Sequence, residues 1–162
     1  MNARDRYNLW TTQPRFDAAT REELLRIAED AAEIEDRFYR SLEFGTAGLR
    51  GVIGAGTNRM NVYTVAMAAA GFARDIASKG QAAMDAGVVI SFDSRRMSPE
   101  FARVTACVFA AHGVLARLSD TLRPVPVLSF AIRHYRAAGG VMITASHNPA
   151  AYNGFKAYGS DG

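Results

Sequence analysis

From Val88 onward the chain alternates short apolar runs with amphipathic segments, and this alternation limits the fold more than any other feature of the sequence. Val88 to Phe92 is an apolar run bounded by Gly87 and Asp93, the pattern of a strand buried on both faces. Ser98-Pro99-Glu100 pairs an N-cap with a proline at the first helical position, and the helix it opens is predicted to run to His112, before Gly113. Val114 to Leu118 gives a second strand. Pro124 and Pro126 mark a loop, a helix over about Val127 to Ala138 ends at Gly139 and Gly140, and Val141 to Thr144 gives a third strand. Strand, helix, strand, helix, strand implies crossover connections and a largely parallel sheet.

The preceding sequence adds two helices and a loop. Val62 to Ser78 carries Val65, Ala69, Phe72 and Ile76 on one side and stops at Gly80. Five glycines fall between Gly45 and Thr57, predicting a loop with a short strand at Leu49 to Ile53. Thr20 and Glu23 form a capping-box pattern, and Leu24, Ile27, Ala31, Ile34, Phe38 and Leu42 recur at helical spacing, predicting one amphipathic helix from Arg21 to Ser41. The acids on its other face are expected to form a solvated surface. Residues 1–43 are thus expected to be a helical extension and 44–162 the α/β domain, together about the size of a single domain with a sizeable core.

Charge and cysteine usage narrow the function classes. Residues 1–43 carry 7 Lys or Arg against 10 Asp or Glu, and residues 44–162 carry 12 against 6. Seventeen of the nineteen cations are arginine, scattered rather than set in a basic stripe, which disfavours a nucleic-acid partner. Planar guanidinium groups suit small anions such as phosphate better. No apolar stretch approaches the roughly 18 residues that cross a bilayer, so no membrane role is expected. The single cysteine, Cys107, reads as a small core side chain, and with one cysteine a reducing, cytoplasmic setting is the expectation.

In open α/β sheets ligands bind beyond the carboxyl ends of the strands, here Asp93-Ser94-Arg95 and Ala145-Ser146-His147-Asn148-Pro149. Ordinary turns stay open as an alternative, because Asp, Ser, Asn and Pro are turn formers. Gly51 to Gly56 has the spacing GxxGxG rather than GxGxxG and no acidic residue at a strand end about 20 positions later, which argues against a Rossmann-like cofactor binder. His112 and His134 sit near helix C-termini, where a cation complements the dipole. What remains is Ser146 on a strand-end loop, followed by His147 and, ten residues on, Lys156. A serine oxygen needs a base or charged partners to act as a nucleophile. Spacing alone therefore says that this serine could carry or transfer an anionic group.

At these residues a resemblance becomes specific. The segment VMITASHNPAAYNGFKAYGSDG resembles the active-site serine segment of the α-D-phosphohexomutase superfamily, with TASHNP at Thr144 to Pro149 and NGxK at Asn153 to Lys156. FGTAGLRG at Phe44 to Gly51 and the DxR pattern of Asp93 and Arg95 resemble two further elements of that superfamily, in the same order. The lead-in, with its Trp and its long helical run, looks like the phosphoglucomutase and phosphopentomutase branch. The resemblance implies an α/β three-layer domain with a mixed, mostly parallel sheet between helices, the first of four domains. It also implies a phosphosugar mutase acting through a bisphosphate such as glucose 1,6-bisphosphate, which interconverts a sugar 1-phosphate with the 6- or 5-phosphate. Ser146 is then the phosphoryl carrier. Arg50, His147 and Lys156 are catalytic, and Arg50, Arg95, Asn148 and Lys156 bind substrate or phosphate. Mg²⁺ would meet the phosphate on Ser146, an all-oxygen shell suited to a hard cation.

The aspartates that complete this shell in the family belong to a DxDxDR loop, and the chain contains no DxD. The expectation is a fragment of a longer mutase, inactive alone. A non-catalytic phosphate-binding or phosphoserine-bearing domain is the alternative. Uncovered apolar surface and an open sheet edge lead us to expect self-association, with the segment after Pro149 mobile.

Overall fold

A computed structural model describes residues 1–45 and 48–162. Its centre is a five-stranded sheet of β1 (Leu49–Val52), β2 (Val88–Phe92), β3 (Ala116–Leu118), β4 (Gly139–Ile143) and β5 (Tyr152–Tyr158), in the order β1-β5-β4-β2-β3. β2 runs parallel to β3 and β4, and β5 runs antiparallel to both β4 and β1, so the sheet is mixed. One face carries α4 (Val62–Ser78), α5 (Gln81–Ala86) and α6 (Ser98–Ala111) over a core of Val65, Ile76, Val88, Ile90, Phe101, Phe109, Val141, Ile143 and Phe155. The other carries α7 (Val125–His134), which buries Leu128 and Ile132 against Val89 and Met142. Among the described residues no helix is long and apolar enough to cross a membrane.

The three strands and the α4 helix stand where the sequence placed them, within a few residues. Three details differ. Gly139 and Gly140 lie in β4 rather than ending a helix, and the strand needs glycine there: a Cβ on Gly139 would stand 2.7 Å from the Tyr158 carbonyl, and one on Gly140 2.5 Å from Ile132 of α7. α7 stops at His134. Cys107 is exposed, since the buried face of α6 is Phe101, Ala102, Thr105 and Phe109 instead.

The segment expected to be mobile is β5, an internal strand with Asn153, Gly154 and Phe155 buried. Its antiparallel bonds run to β1 on one side and β4 on the other. β1 and β3 form the actual edges.

The expected Arg21-to-Ser41 helix is two helices, α2 (Ala18–Leu25) and α3 (Ala31–Phe38), preceded by α1 (Ala3–Thr12). Asp17, not Thr20, caps α2, accepting the Thr20 N–H at 2.9 Å. Asp30 caps α3 through the Glu33 N–H at 2.9 Å, and this local bond competes with continuing the helix. Leu24, Ile34 and Phe38 keep one helical period across the break because all three pack into one cluster with Tyr7, Trp10 and Phe16. Tyr63 of α4 closes that cluster, its ring 5.4 Å from Trp10 and 4.9 Å from Phe16.

The acids of this layer are not all solvated. Arg37, 15% exposed, bonds Glu23 at 2.5 Å and Glu33 at 2.7 Å. Arg59 pairs with Asp36. Glu23 also accepts the Ala55 N–H, and Arg37 donates to the Ala55 carbonyl, so this layer grips the glycine-rich loop.

Candidate active site

Topology gathers the candidate residues at one end of the sheet. β1, β2 and β4 share a direction, so Val52, Asp93 and Thr144 all lie at their carboxyl ends, and the start of antiparallel β5 lies there too. Register does the rest. Arg50 pairs with Gly154 and Met142 with Lys156, which sets the Arg50 and Lys156 side chains on one face, the α7 side, two residues apart along β5.

The serine loop leaves β4 through Thr144 and Ala145, both buried, and exposes Ser146 and His147. Ser146 has φ 58°, a left-handed conformation that disfavours side chains other than Gly, Asn or Asp. Thr144 Oγ1 accepts the Ser146 N–H at 3.0 Å, and the Asn148 N–H bonds the Ala145 carbonyl at 3.1 Å. Such left-handed, over-determined residues cluster at functional sites.

Arg50 donates through Nη1 to Asn148 Oδ1 at 2.9 Å, tying the β1 cation to the serine loop. Two glycines make that approach possible. A Cβ on Gly154 would stand 2.7 Å from both the Leu49 and Thr144 carbonyls and 2.8 Å from Arg50 Cγ. Gly48 has φ 98° and lies against Lys156, where a Cβ would meet Cγ at 3.3 Å. The glycines of the FGTAGLRG and NGFK elements therefore let Arg50 and Lys156 lie close to the backbone. Thr46 and Ala47 of the first element lie outside the described residues.

Arg95, at the end of β2, is 15% exposed. Its guanidinium faces the carbonyls of residues 146, 148, 149 and 152 at 2.7–3.1 Å. Two buried residues, Ser98 and Asn153, complete its surroundings. Ser98 was read as an N-cap, but Met97 holds that position in a left-handed conformation and Ser98 Oγ turns back to Asp93 at 2.9 Å. The glycine-rich Gly51–Gly56 stretch makes no cradle for a dinucleotide. Its Gly54 and Ala55 N–H groups bond Met60 O and Glu23 instead.

The chain's own residues do not fit a Mg²⁺ shell. Among the described residues no three His, Cys, Asp or Glu side chains converge. Asp93, the carboxylate at the end of β2, already accepts from Ser98 and the Arg95 N–H. What this end of the sheet offers is an exposed serine hydroxyl, an adjacent imidazole, and Arg50 and Lys156 on one face, groups suited to holding a phosphoryl group and neutralising its oxygens.

Residues 41–162 match the family model described as phosphoglucomutase/phosphomannomutase, alpha/beta/alpha domain I. A phosphoglucomutase of Staphylococcus epidermidis is 46% identical over 134 residues, 83% of this chain and 24% of the relative. A probable phosphoribomutase of Schizosaccharomyces pombe is 45% identical over 148 residues, 90% of this chain and 25% of the relative. A Thermus thermophilus protein, provisionally named a phosphomannomutase, has a crystal structure that superposes with a TM-score of 0.66 at 36% identity, covering 75% of this chain and 26% of that one. The chain thus spans about a quarter of the length of these relatives.

Proposed function

Because the chain belongs to the phosphoglucomutase/phosphomannomutase family through its α/β/α domain I, we propose that it is the phosphoryl-carrying domain of a phosphosugar mutase, with Ser146 Oγ as the carrier. The observation that carries this reading is the exposed Ser146, held at φ 58° on the loop whose Asn148 bonds Arg50. The substrate class is a sugar phosphate interconverted between its 1- and its 6- or 5-phosphate, with glucose 1,6-bisphosphate as the intermediate when the sugar is glucose.

The chemistry asked of these residues is modest. The bond between phosphorus and Ser146 Oγ breaks as a sugar hydroxyl oxygen bonds phosphorus, the hydroxyl proton leaves to a base, and Ser146 takes up a proton. After the bisphosphate turns end for end, the reverse transfer restores phosphoserine and releases the isomeric monophosphate. Arg50 and Lys156 neutralise phosphoryl oxygens during transfer, and His147 or Lys156 moves the proton. Such transfer rests on positioning and electrostatics rather than on covalent assistance.

Ser146→Ala tests this in the protein at its natural length, since the chain spans about a quarter of these relatives. Mutase turnover is expected to fall by orders of magnitude while thermal stability barely changes, as for an exposed loop residue. Near-normal turnover would refute the carrier role. Phosphate binding without transfer in the unsubstituted protein would favour the non-catalytic alternative.

A further inference from the structure

An arginine side chain has five N–H donors in a fixed plane, and in Arg95 the structure gives the four on the two Nη atoms a carbonyl acceptor each. Nη1 donates to the carbonyls of Pro149 at 3.0 Å and Tyr152 at 3.1 Å. Nη2 donates to the carbonyls of Ser146 at 2.9 Å and Asn148 at 2.7 Å. Nε faces Asp93 Oδ2 at 3.5 Å. The side chain is 15% exposed, so these are contacts of a largely buried group.

We infer that Arg95 is a positioning residue that sets the conformation of the Ser146 loop, and that it does not bind the phosphate of the substrate. The inference deepens the proposed function, since it takes Ser146 as the group being positioned. A phosphate ligand needs N–H groups that point at the ligand. The four Nη donors of Arg95 are spent on carbonyls and Nε faces the Asp93 carboxylate, so taking up a phosphate would break bonds to the loop that carries the serine.

The geometry explains how one side chain can set a backbone conformation. The Ser146 carbonyl belongs to the peptide before His147 and the Asn148 carbonyl to the peptide before Pro149, and both converge on one nitrogen. That fixes the direction of the chain on either side of His147. It also holds Ser146 at φ 58°, from which a serine released from its partners would relax. Pro149 and Tyr152, on the other nitrogen, fix where the loop re-enters the sheet as β5.

Arg95 is in turn held from behind. Asp93 Oδ1 accepts the Arg95 N–H at 3.0 Å and the Ser98 hydroxyl at 2.9 Å. Ser98 Oγ accepts from Asn153 Nδ2 at 2.9 Å, and the same nitrogen donates to the Arg96 carbonyl at 3.0 Å. Asn153 Oδ1 accepts the Gly154 N–H at 2.8 Å. The DSR and NG elements, nearly 60 residues apart in the chain, therefore form one network from the end of β2 through α6 and β5 to the serine. Lysine could not replace Arg95, because it has three donors on one atom and cannot span four carbonyls.

The test compares Arg95→Lys with the unsubstituted protein in its natural length, using glucose 1,6-bisphosphate as phosphoryl donor and amide hydrogen exchange over residues 146–152. Arg95→Lys keeps the positive charge but loses the fork. It is expected to slow phosphoryl transfer to Ser146 by about tenfold or more, to leave KM for the bisphosphate within about threefold, and to raise loop exchange by about tenfold while β4 stays protected. Unchanged loop exchange overturns the inference, and so does a KM that rises beyond about threefold, the signature of a lost phosphate ligand. Should Arg95→Lys also lose protection in β4, Ser98→Ala decides, since it weakens the same network one bond back and is expected to move rate and loop exchange in the same direction by less. If Ser146 accepts no phosphate in the unsubstituted protein, the proposed function fails, and loop exchange alone still decides the role of Arg95.

Discussion

Replacing Gly154 with alanine adds one methyl group where three chain segments meet. The new Cβ would stand 2.7 Å from the Leu49 and Thr144 carbonyl oxygens and 2.8 Å from Arg50 Cγ. The two oxygens belong to backbone on opposite sides of β5, so neither can rotate away, and the strands must separate. Overpacking of this kind costs about 1–3 kcal/mol, with two fixed backbone contacts placing it near the upper end. The reduced freedom of the unfolded chain returns about 0.4–1 kcal/mol. The net loss is about 2 kcal/mol, which lowers Tm by roughly 4–8 °C for a domain of this size. Gly71→Ala is the control. It lies in α4 with nothing within 4 Å of its added Cβ, and is expected to gain about 1 kcal/mol from helix propensity. Differential scanning calorimetry on both variants gives the comparison. A Gly154→Ala protein as stable as the unsubstituted one would refute the close packing of β1, β5 and the serine loop, and with it the explanation of how Arg50 reaches Asn148.

Other parts of the structure give further expectations. Ser146→Gly relieves a left-handed residue worth about 1–2 kcal/mol against a glycine cost of about 0.5–1 kcal/mol, so it should be slightly more stable than Ser146→Ala by chemical denaturation; equal or lower stability would show that Ser146 is not strained. Arg37→Met strands Glu23, Glu33 and the Ala55 carbonyl, and should destabilise the protein by about 2 kcal/mol in urea unfolding; a neutral result would show that the N-terminal helices do not depend on this network. The Tyr63–Asp17 contact sets a pH window for the same layer. Burial, then the bond to Asp17, raises the Tyr63 phenol above 10.0, so its contribution is present below pH 10.0 and is lost as pH climbs through the raised value. Burial pushes the Asp17 carboxyl up, but bonds from the Thr20 N–H, Tyr63 and the Thr20 hydroxyl outweigh it and leave the value below 3.8, so its contribution is present above pH 3.8 and is lost as pH falls through the lowered value. Emission of Trp10, 5.4 Å from the Tyr63 ring, should be constant between these limits, and a transition well inside them would contradict the assignment.

The parallel strands and the loops at their ends were legible in the sequence because each signal is local: an apolar run, a bounding glycine, a proline at a helix start. β5 was not legible. Its partner β1 lies about 100 residues earlier, and the close approach of that partner demands a glycine at 154, which removes the β-branched pattern that marks a strand. The break between α2 and α3 was hidden because Leu24, Ile34 and Phe38 share one tertiary cluster, so their period runs across the Asp30 cap. α1 did carry a signal, the Asn2 and Asp5 capping box, at the head of a polar segment whose buried residues are Ala3, Tyr7 and Trp10. Within the site, TASHNP marked the serine loop, and the DxR motif marked Arg95 as charge at a strand end. Nothing in the residue types distinguishes an arginine that binds phosphate from one whose donors are spent on carbonyls. That distinction is geometric.

The central claim is that Ser146 carries a transferable phosphoryl group. The direct measurement is mass spectrometry on the peptide containing Ser146, from protein isolated at its natural length without phosphatase treatment. The expected result is one phosphoryl group on Ser146, lost on incubation with glucose 6-phosphate and appearing in glucose 1,6-bisphosphate. A serine that is unmodified in the isolated protein and stays unmodified with glucose 1,6-bisphosphate, or a phosphoserine that survives the sugar phosphate, would contradict it.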